Sequence, residues 1–277
     1  MTTSGRRPQF IIAGAAKSAT TWLQKSLQQS PRIFMPGHEP QFFARHYDDG
    51  LPSYQQLFDA APAGALLGEK SNSYLTTPEA AVRIARHLPD VRLVFQLRDP
   101  VARAYSDYEM LLRRGTVDRD IWRYLDPVRA ADTRFLRDGR YAEHLARFFD
   151  LFDADQILIL KYETIISDPA GQLDRLARHL ALRDPLVAPV KGRVKDSRAA
   201  VVPRPIRRLI APLRPVLDPV RDTPPMRAMR DLVARKERYP QLDPALKARL
   251  ADFYRGQVER LATMTGLSFS DWTSMRG

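Results

Sequence analysis

"GAAKSATTWL", residues 14–23, follows the apolar run "FIIA" at 10–13, and its reading decides how the rest of the chain is understood. One glycine, one lysine and three hydroxyl side chains stand where a strand gives way to a helix. A strand ending at Ala13, a tight turn at Gly14 and a helix from about Thr20 leave several backbone N–H groups unpaired, and the helix dipole adds to their attraction for an anion. Lys17 contributes a full positive charge; Ser18, Thr20 and Thr21 contribute hydroxyl donors. An ordinary strand-to-helix turn accounts for a threonine at the cap but not for a lysine in mid-turn. The stretch is therefore read as an anion-binding loop. It is not the Walker A pattern, which needs a glycine directly before Lys-Ser/Thr; position 16 is alanine.

Outward from this loop, the runs "FIIAG" (10–14), "ALLGE" (65–69), "VRLVFQL" (91–97) and "QILILKY" (156–162) are short, apolar and bounded by turn or polar residues, as buried strands are. Helical patterns lie between them at 20–29, 77–88, 101–114, 141–151 and 171–182, the second opening on a threonine cap and Pro78. A last helix spans 243–266, with Asp243 as cap, Pro244 at its first position, and Leu246, Leu250, Phe253, Val258 and Leu261 as its apolar stripe. Strands alternating with helices predict an α/β fold, a central parallel sheet flanked by helices on both faces. In such a sheet ligands sit at the carboxyl ends of the strands. Residues 185–235 break the pattern; they are expected to form a partly helical Pro/Arg-rich excursion over the site, within a single domain of residues 1–277.

The 277 residues are 44% hydrophobic, enough for a sizeable core, and contain no cysteine. Disulfides, thiolate metal sites and thiol catalysis are thereby excluded. No stretch approaches the length of a membrane span. Arg6 and Arg7 before "FIIAGAA" resemble the start of a secretion signal, but the apolar run stops at Lys17; the reading is a first strand in a cytoplasmic protein. High arginine, alanine and proline with low lysine suggests a bacterial source. Net charge is +12, and residues 191–238 alone hold 14 Lys/Arg against 5 Asp/Glu, a net of +9, together with 7 of the 22 prolines. Such a stretch is more often a solvated face than a binding site. No aromatic-interleaved basic motif supports nucleic-acid binding, and a multiply anionic small molecule fits the charge as well.

A second constellation is "LRDPVARAYSDY" (97–108). Arg98 lies just past the third predicted strand, Pro100 opens a helix, and Ser106 sits two turns in. A planar guanidinium suits phosphate oxygens and a serine hydroxyl completes the contact. Taken alone, an Arg98–Asp99 turn with a surface serine explains this stretch as well.

Paired, the two motifs resemble those of the PAPS-dependent sulfotransferases, which move a sulfuryl group from 3′-phosphoadenosine-5′-phosphosulfate to an acceptor hydroxyl or amine. "GAAKSATTWL" resembles their 5′-phosphosulfate loop, with Ala19 where a glycine is usual. "LRDPVARAYSDY" resembles their 3′-phosphate motif. "HEPQFF" (38–43), "GEKSNSYL" (68–75), "GRYAEHLARFFDLF" (139–152) and "KERYPQLDPALKARL" (236–250) are similar, in order, to segments of the heparan sulfate sulfotransferase branch and its bacterial relatives. The resemblance implies a P-loop-like phosphosulfate-binding turn in which Lys17, Ser18, Ala19, Thr20, Thr21 and Trp22 contact the cofactor. It gives Arg98 and Ser106 the 3′-phosphate, and Lys236 and Arg238 a loop closing over the nucleotide, with Glu237 where the family usually has glycine. Glu39 matches the carboxylate proposed as general base and Lys70 a second lysine near the transferring group. Transfer would run in line, with catalysis mostly by positioning and charge stabilisation: Lys17 and Lys70 against the charge on the leaving oxygen, Glu39 on the acceptor proton.

His38 and His46 are alternative bases, more simply read as polar turn residues. Lysine neighbours would favour an ionised Glu39, whereas burial would favour its neutral form. Phe42, Phe43, Tyr47 and Trp22 could floor the acceptor site, but aromatics at such spacing are more often core, and they are not counted among the acceptor-site residues. No metal is expected, since the five histidines form no ligand pair. The acceptor is expected to be a carbohydrate, glycolipid or secondary metabolite, with Arg207 and Arg208 of the excursion favouring an acidic one. The competing readings are a P-loop-like nucleotide kinase or NTPase, which needs the missing Walker A glycine, and a non-catalytic nucleic-acid-binding protein, which leaves the motif order unexplained.

Overall fold

Five short strands build one sheet in the computed structural model, which describes residues 6–130, 132–189, 223 and 239–275. They are β1 (Phe10–Gly14), β2 (Ile33–Phe34), β3 (Leu66–Lys70), β4 (Arg92–Leu97) and β5 (Ile157–Lys161), in the order β2-β3-β1-β4-β5. Every pairing is parallel. The helices are α1 (Thr20–Leu27), α2 (Phe42–Arg45), α3 (Leu51–Gln56), α4 (Pro78–His87), α5 (Pro100–Arg114) and α6 (Ile121–Leu125). They continue with α7 (Pro127–Ala130), α8 (Arg134–Arg137), α9 (Tyr141–Phe149), α10 (Tyr162–Ser167), α11 (Pro169–His179) and α12 (Pro244–Thr265).

The continuous apolar character of β1 and β4 follows from burial on both faces, as in parallel sheets covered twice. Successive side chains alternate between two cores. Ile11, Ala13, Leu93, Phe95 and Ile159 pack with Ala80 and Ile84 of α4 and Leu145 and Phe148 of α9. Phe10, Ile12, Val94 and Leu160 pack on the other face with Leu23 and Leu27 of α1 and Leu173 and Leu176 of α11. A third cluster joins α5, α6, α8 and α12 through Tyr108, Ile121, Phe135, Leu246, Leu250 and Tyr254.

The four predicted strands and the six predicted helices are all present, with ends shifted by at most three residues. Two local expectations are corrected. Thr77 stands at the cap position of α4 but its side chain makes no capping bond; its hydroxyl donates to the Ser73 carbonyl at 2.8 Å instead, a turn contact that competes with capping. On α12 the buried stripe is Leu246, Leu250, Tyr254 and Leu261 rather than one running through Phe253. Tyr254 fits the helical period, and its hydroxyl finds a partner in the Leu136 carbonyl at 2.9 Å. Asp243 does cap α12, accepting from Leu246 N at 2.9 Å. The excursion at 185–235, with Arg207 and Arg208, lies outside the described residues apart from 185–189 and 223.

The topology places the crevice. From β1 the chain leaves toward β2 and β3, and from β4 it leaves toward β5 on the opposite side. The loops after these two neighbouring strands therefore part, and open α/β sheets bind ligands at such a point. The loop after β1 carries Lys17 and the end of β4 carries Arg98.

Candidate active site

The loop after β1 is bent by left-handed turns at Lys17 (φ 69°) and Ala19 (φ 60°). Such turns are how a chain aims successive N–H groups at one anion. Ala19 is the residue before α1; its carbonyl accepts from Trp22 N at 2.8 Å, which leaves the N–H groups of Thr20 and Thr21 at the helix start without an intrahelical acceptor. Gln96, buried in β4, clamps the loop at both ends: its carbonyl accepts from Ala15 N at 2.9 Å, and its amide donates to the Ser18 carbonyl. Gln172 of α11 in turn donates to the Gln96 side chain at 3.0 Å. Gly14 is required where Asn72 and Leu75 cross over it, since a Cβ there would meet the Leu75 Cβ at 2.8 Å.

Burial pulls the Lys17 ammonium below the usual lysine range, opposed by Asp107 and reinforced by Arg98. Arg98 donates to the Lys17 carbonyl at 3.1 Å, and its guanidinium lies 4.5 Å from the centre of the Tyr162 ring. The two sequence motifs are thus in direct contact. Two buried polar atoms here, Ser18 Oγ and Arg98 Nε, find no hydrogen-bond partner among the described residues. Orphaned donors beside a buried lysine fit a multiply anionic ligand. Ser106 is half-buried on α5, and Trp22 packs against the core under α1 and α11. Lys236 and Arg238 lie outside the described residues.

At the end of β3, Lys70 is almost fully buried (3% exposed) and its Nζ stands 2.6 Å from Oε1 of Glu39, which is 26% exposed. Lys70 also reaches Thr21 Oγ1 at 3.5 Å. Glu39 comes from the segment between β2 and α2. Asn72 holds the same carboxylate: its backbone N–H donates to Oε2 at 3.2 Å and its amide to Oε1 at 3.0 Å. The Asn72 amide oxygen accepts from Thr20 at 2.8 Å. His38 is exposed beside Glu39, and His46 pairs with Asp49 at 3.3 Å on the surface. Phe42 and Phe43 are core, stacked with or edge-on to Tyr54.

Beneath Glu39 lies a second carboxylate. Glu69 is fully buried and accepts from Tyr54 at 3.1 Å, Tyr74 at 2.7 Å and Ser71 at 2.8 Å. Burial pushes its carboxyl up to about 7, partly offset by those hydrogen bonds. Ser71 accepts from Gln41 N at 2.8 Å, so this cluster anchors the segment bearing Glu39, whose Gln41 sits in the left-handed region at φ 52°. Asp99 opens α5, accepting from Val101 N at 3.0 Å and Ala102 N at 3.2 Å, while its other oxygen accepts from Ser274 N at 2.9 Å. Glu163 of α10 accepts from Asp99 N and from the Trp272 indole, each at 3.0 Å.

Of the residues the sequence singled out, the structure brings Lys17 together with Arg98 and Glu39 together with Lys70, and it adds Asn72, Gln96, Tyr162 and Glu163, which the sequence reading did not name. The first four stand in local motifs. The others act through contacts between distant segments; Asn72 alone had a signal, as a polar residue inside "GEKSNSYL".

Residues 7–191 match the family model described as a sulfotransferase domain. The human heparan sulfate glucosamine 3-O-sulfotransferase 3B1 is 37% identical over 185 residues, 65% of this chain and 47% of that protein. The human bifunctional heparan sulfate N-deacetylase/N-sulfotransferase 3 is 30% identical over 202 residues, 65% of this chain and 23% of that protein. The chain spans about half the length of the 3-O-sulfotransferases it matches. The crystal structure of a sulfotransferase from Alicyclobacillus acidocaldarius shares the fold, with TM-score 0.71, 23% identity and coverage of 97% of this chain and 99% of that one.

Proposed function

The chain belongs to the sulfotransferase family, and on that premise we propose that it transfers a sulfuryl group from PAPS to a hydroxyl of a carbohydrate-type acceptor. One observation carries the reading: a buried lysine, Lys70, sits 2.6 Å from a solvent-reachable carboxylate, Glu39, at the strand end next to the anion loop. That is the equipment for moving a proton beside a developing negative charge.

The residues fit the cofactor. Ser18, Thr20, Thr21 and Lys17 would hold a phosphosulfate at the left-handed loop, and Ala19 and Trp22 belong to the same turn. Arg98, with its orphaned Nε, and Ser106 would hold a 3′-phosphate. The resemblance gives Lys236 and Arg238 the covering loop. When bound, PAPS supplies an activated sulfuryl group. Glu39 would take the proton of the attacking hydroxyl, worth about 10²- to 10⁴-fold in rate. Lys17 and Lys70 set positive charge where negative charge develops, and a water-excluding site strengthens that effect. Names such as heparan sulfate 3-O-sulfotransferase among the relatives support a sugar hydroxyl. The composition supports a bacterial setting, where glycolipids, capsular sugars and secondary metabolites are further candidates.

The test is transfer of radiolabelled sulfur from PAPS to a panel of oligosaccharides and glycolipids. Label in at least one acceptor, reduced about 10²- to 10⁴-fold by Glu39→Gln, is expected. A Glu39→Gln variant as active as the parent would remove Glu39 as base, and phosphoryl transfer from ATP in place of sulfuryl transfer would overturn the assignment.

A further inference from the structure

We propose that Asn72 is a positioning residue for this reaction, one that fixes Glu39 against the anion loop independently of Lys70. The inference rests on the reading of Glu39 as proton acceptor. Glu39 belongs to no helix or strand, and its carboxylate is partly open to solvent. A side chain so placed keeps one rotamer only if other groups hold it. Lys70 and Asn72 hold it with three donors: Lys70 Nζ at 2.6 Å and Asn72 Nδ2 at 3.0 Å on Oε1, and the Asn72 N–H at 3.2 Å on Oε2. Lys70 cannot be a constant restraint, because its charge is also needed at the transferring group. Two of the three donors then come from one residue.

Asn72 is itself immobilised by β1. Ser71 N donates to the Ile12 carbonyl at 3.0 Å and Leu75 N to the Ala13 carbonyl at 2.9 Å, on either side of it. The amide has only one workable orientation: turned over, its oxygen would face the Glu39 carboxylate. With Nδ2 toward Glu39, Oδ1 accepts the Thr20 hydroxyl at 2.8 Å. A single planar amide therefore sets the distance between the proton acceptor and the first turn of α1. Catalytic geometry is sensitive on this scale, since a misplacement of about 1 Å can cost about 10²-fold.

The experiment is a double-mutant cycle on the full chain, with Asn72→Ala, Glu39→Gln and both together. Steady-state sulfuryl transfer is read beside calorimetric binding of 3′-phosphoadenosine-5′-phosphate (PAP). Asn72→Ala is expected to lower kcat by about 10- to 100-fold, to leave PAP affinity within about 3-fold, and to cause no further loss in the Glu39→Gln background. Asn72→Asp, which sets a carboxylate against Glu39, should be slower still, and Asn72→Ser serves if alanine lowers the melting temperature. A parental kcat in Asn72→Ala would overturn the proposal. So would an equal loss in the Glu39→Gln background, or PAP affinity falling in step with kcat. A parental rate for Glu39→Gln alone would remove the premise, and it is read from a variant in which Asn72 is untouched.

Discussion

Ala19 carries a left-handed backbone (φ 60°, ψ 27°) where a Cβ is disfavoured. Glycine relieves this at some entropic cost. Ala19→Gly is expected to stabilise the fold by about 0.5–1 kcal/mol, read from the urea midpoint, with PAP affinity retained. Glu69 makes a pH prediction of definite sign. Its folded carboxyl titrates at about 7 against an ordinary value of 4.5. The folded state thus keeps a proton that the unfolded chain releases, and the contribution is complete below about 4.5 and lost as pH rises to about 7. Glu69→Gln should flatten this dependence, removing up to about 3 kcal/mol of the difference between pH 4.5 and pH 8. Urea denaturation of both proteins at the two pH values measures it; parallel curves would show that Glu69 is not the titrating group.

At the scale of elements, α5 links stability to the site. Asp99 caps it, binds Ser274 and follows Arg98 directly. Asp99→Ala should cost about 1–2 kcal/mol from the cap alone, seen as a lower melting temperature, and should weaken PAP binding by releasing Arg98. Pro100 marked the start of α5, and Asp243 with Pro244 that of α12, because helix starts are set by local interactions; that Asp99 caps α5 is shown by the structure. Thr77 misled because a rival local contact won: its hydroxyl donates back to the Ser73 carbonyl instead of accepting from the N–H groups of α4. The buried strands were legible as apolar runs, yet β2 was not, being two residues long and defined only by its pairing with β3. The short helices α2, α3, α6, α7 and α8 have four to six residues, too few to show a period.

Across the whole molecule, the sheet order brings three strand ends together, and the chain returns through Trp272 and Ser274 to brace Glu163 and Asp99. Lys17 and Arg98 were readable because each lies in a turn between a strand and a helix, and their contact follows from β1 lying beside β4. Gln96 and Tyr162 were not, and Asn72 showed only as one polar residue of "GEKSNSYL", because their contacts exist only once distant segments pair. The central claim is that this crevice recognises a nucleotide bearing a 3′-phosphate. Calorimetric titration with PAP, AMP and ATP, on the parent chain and on Arg98→Ala, tests it most directly. Tight PAP binding, at least about 10-fold stronger than AMP and reduced to the AMP level by Arg98→Ala, is predicted from the loss of charged hydrogen bonds worth about 1.5–3 kcal/mol each. ATP binding as tightly as PAP, or PAP affinity unchanged in Arg98→Ala, would contradict it.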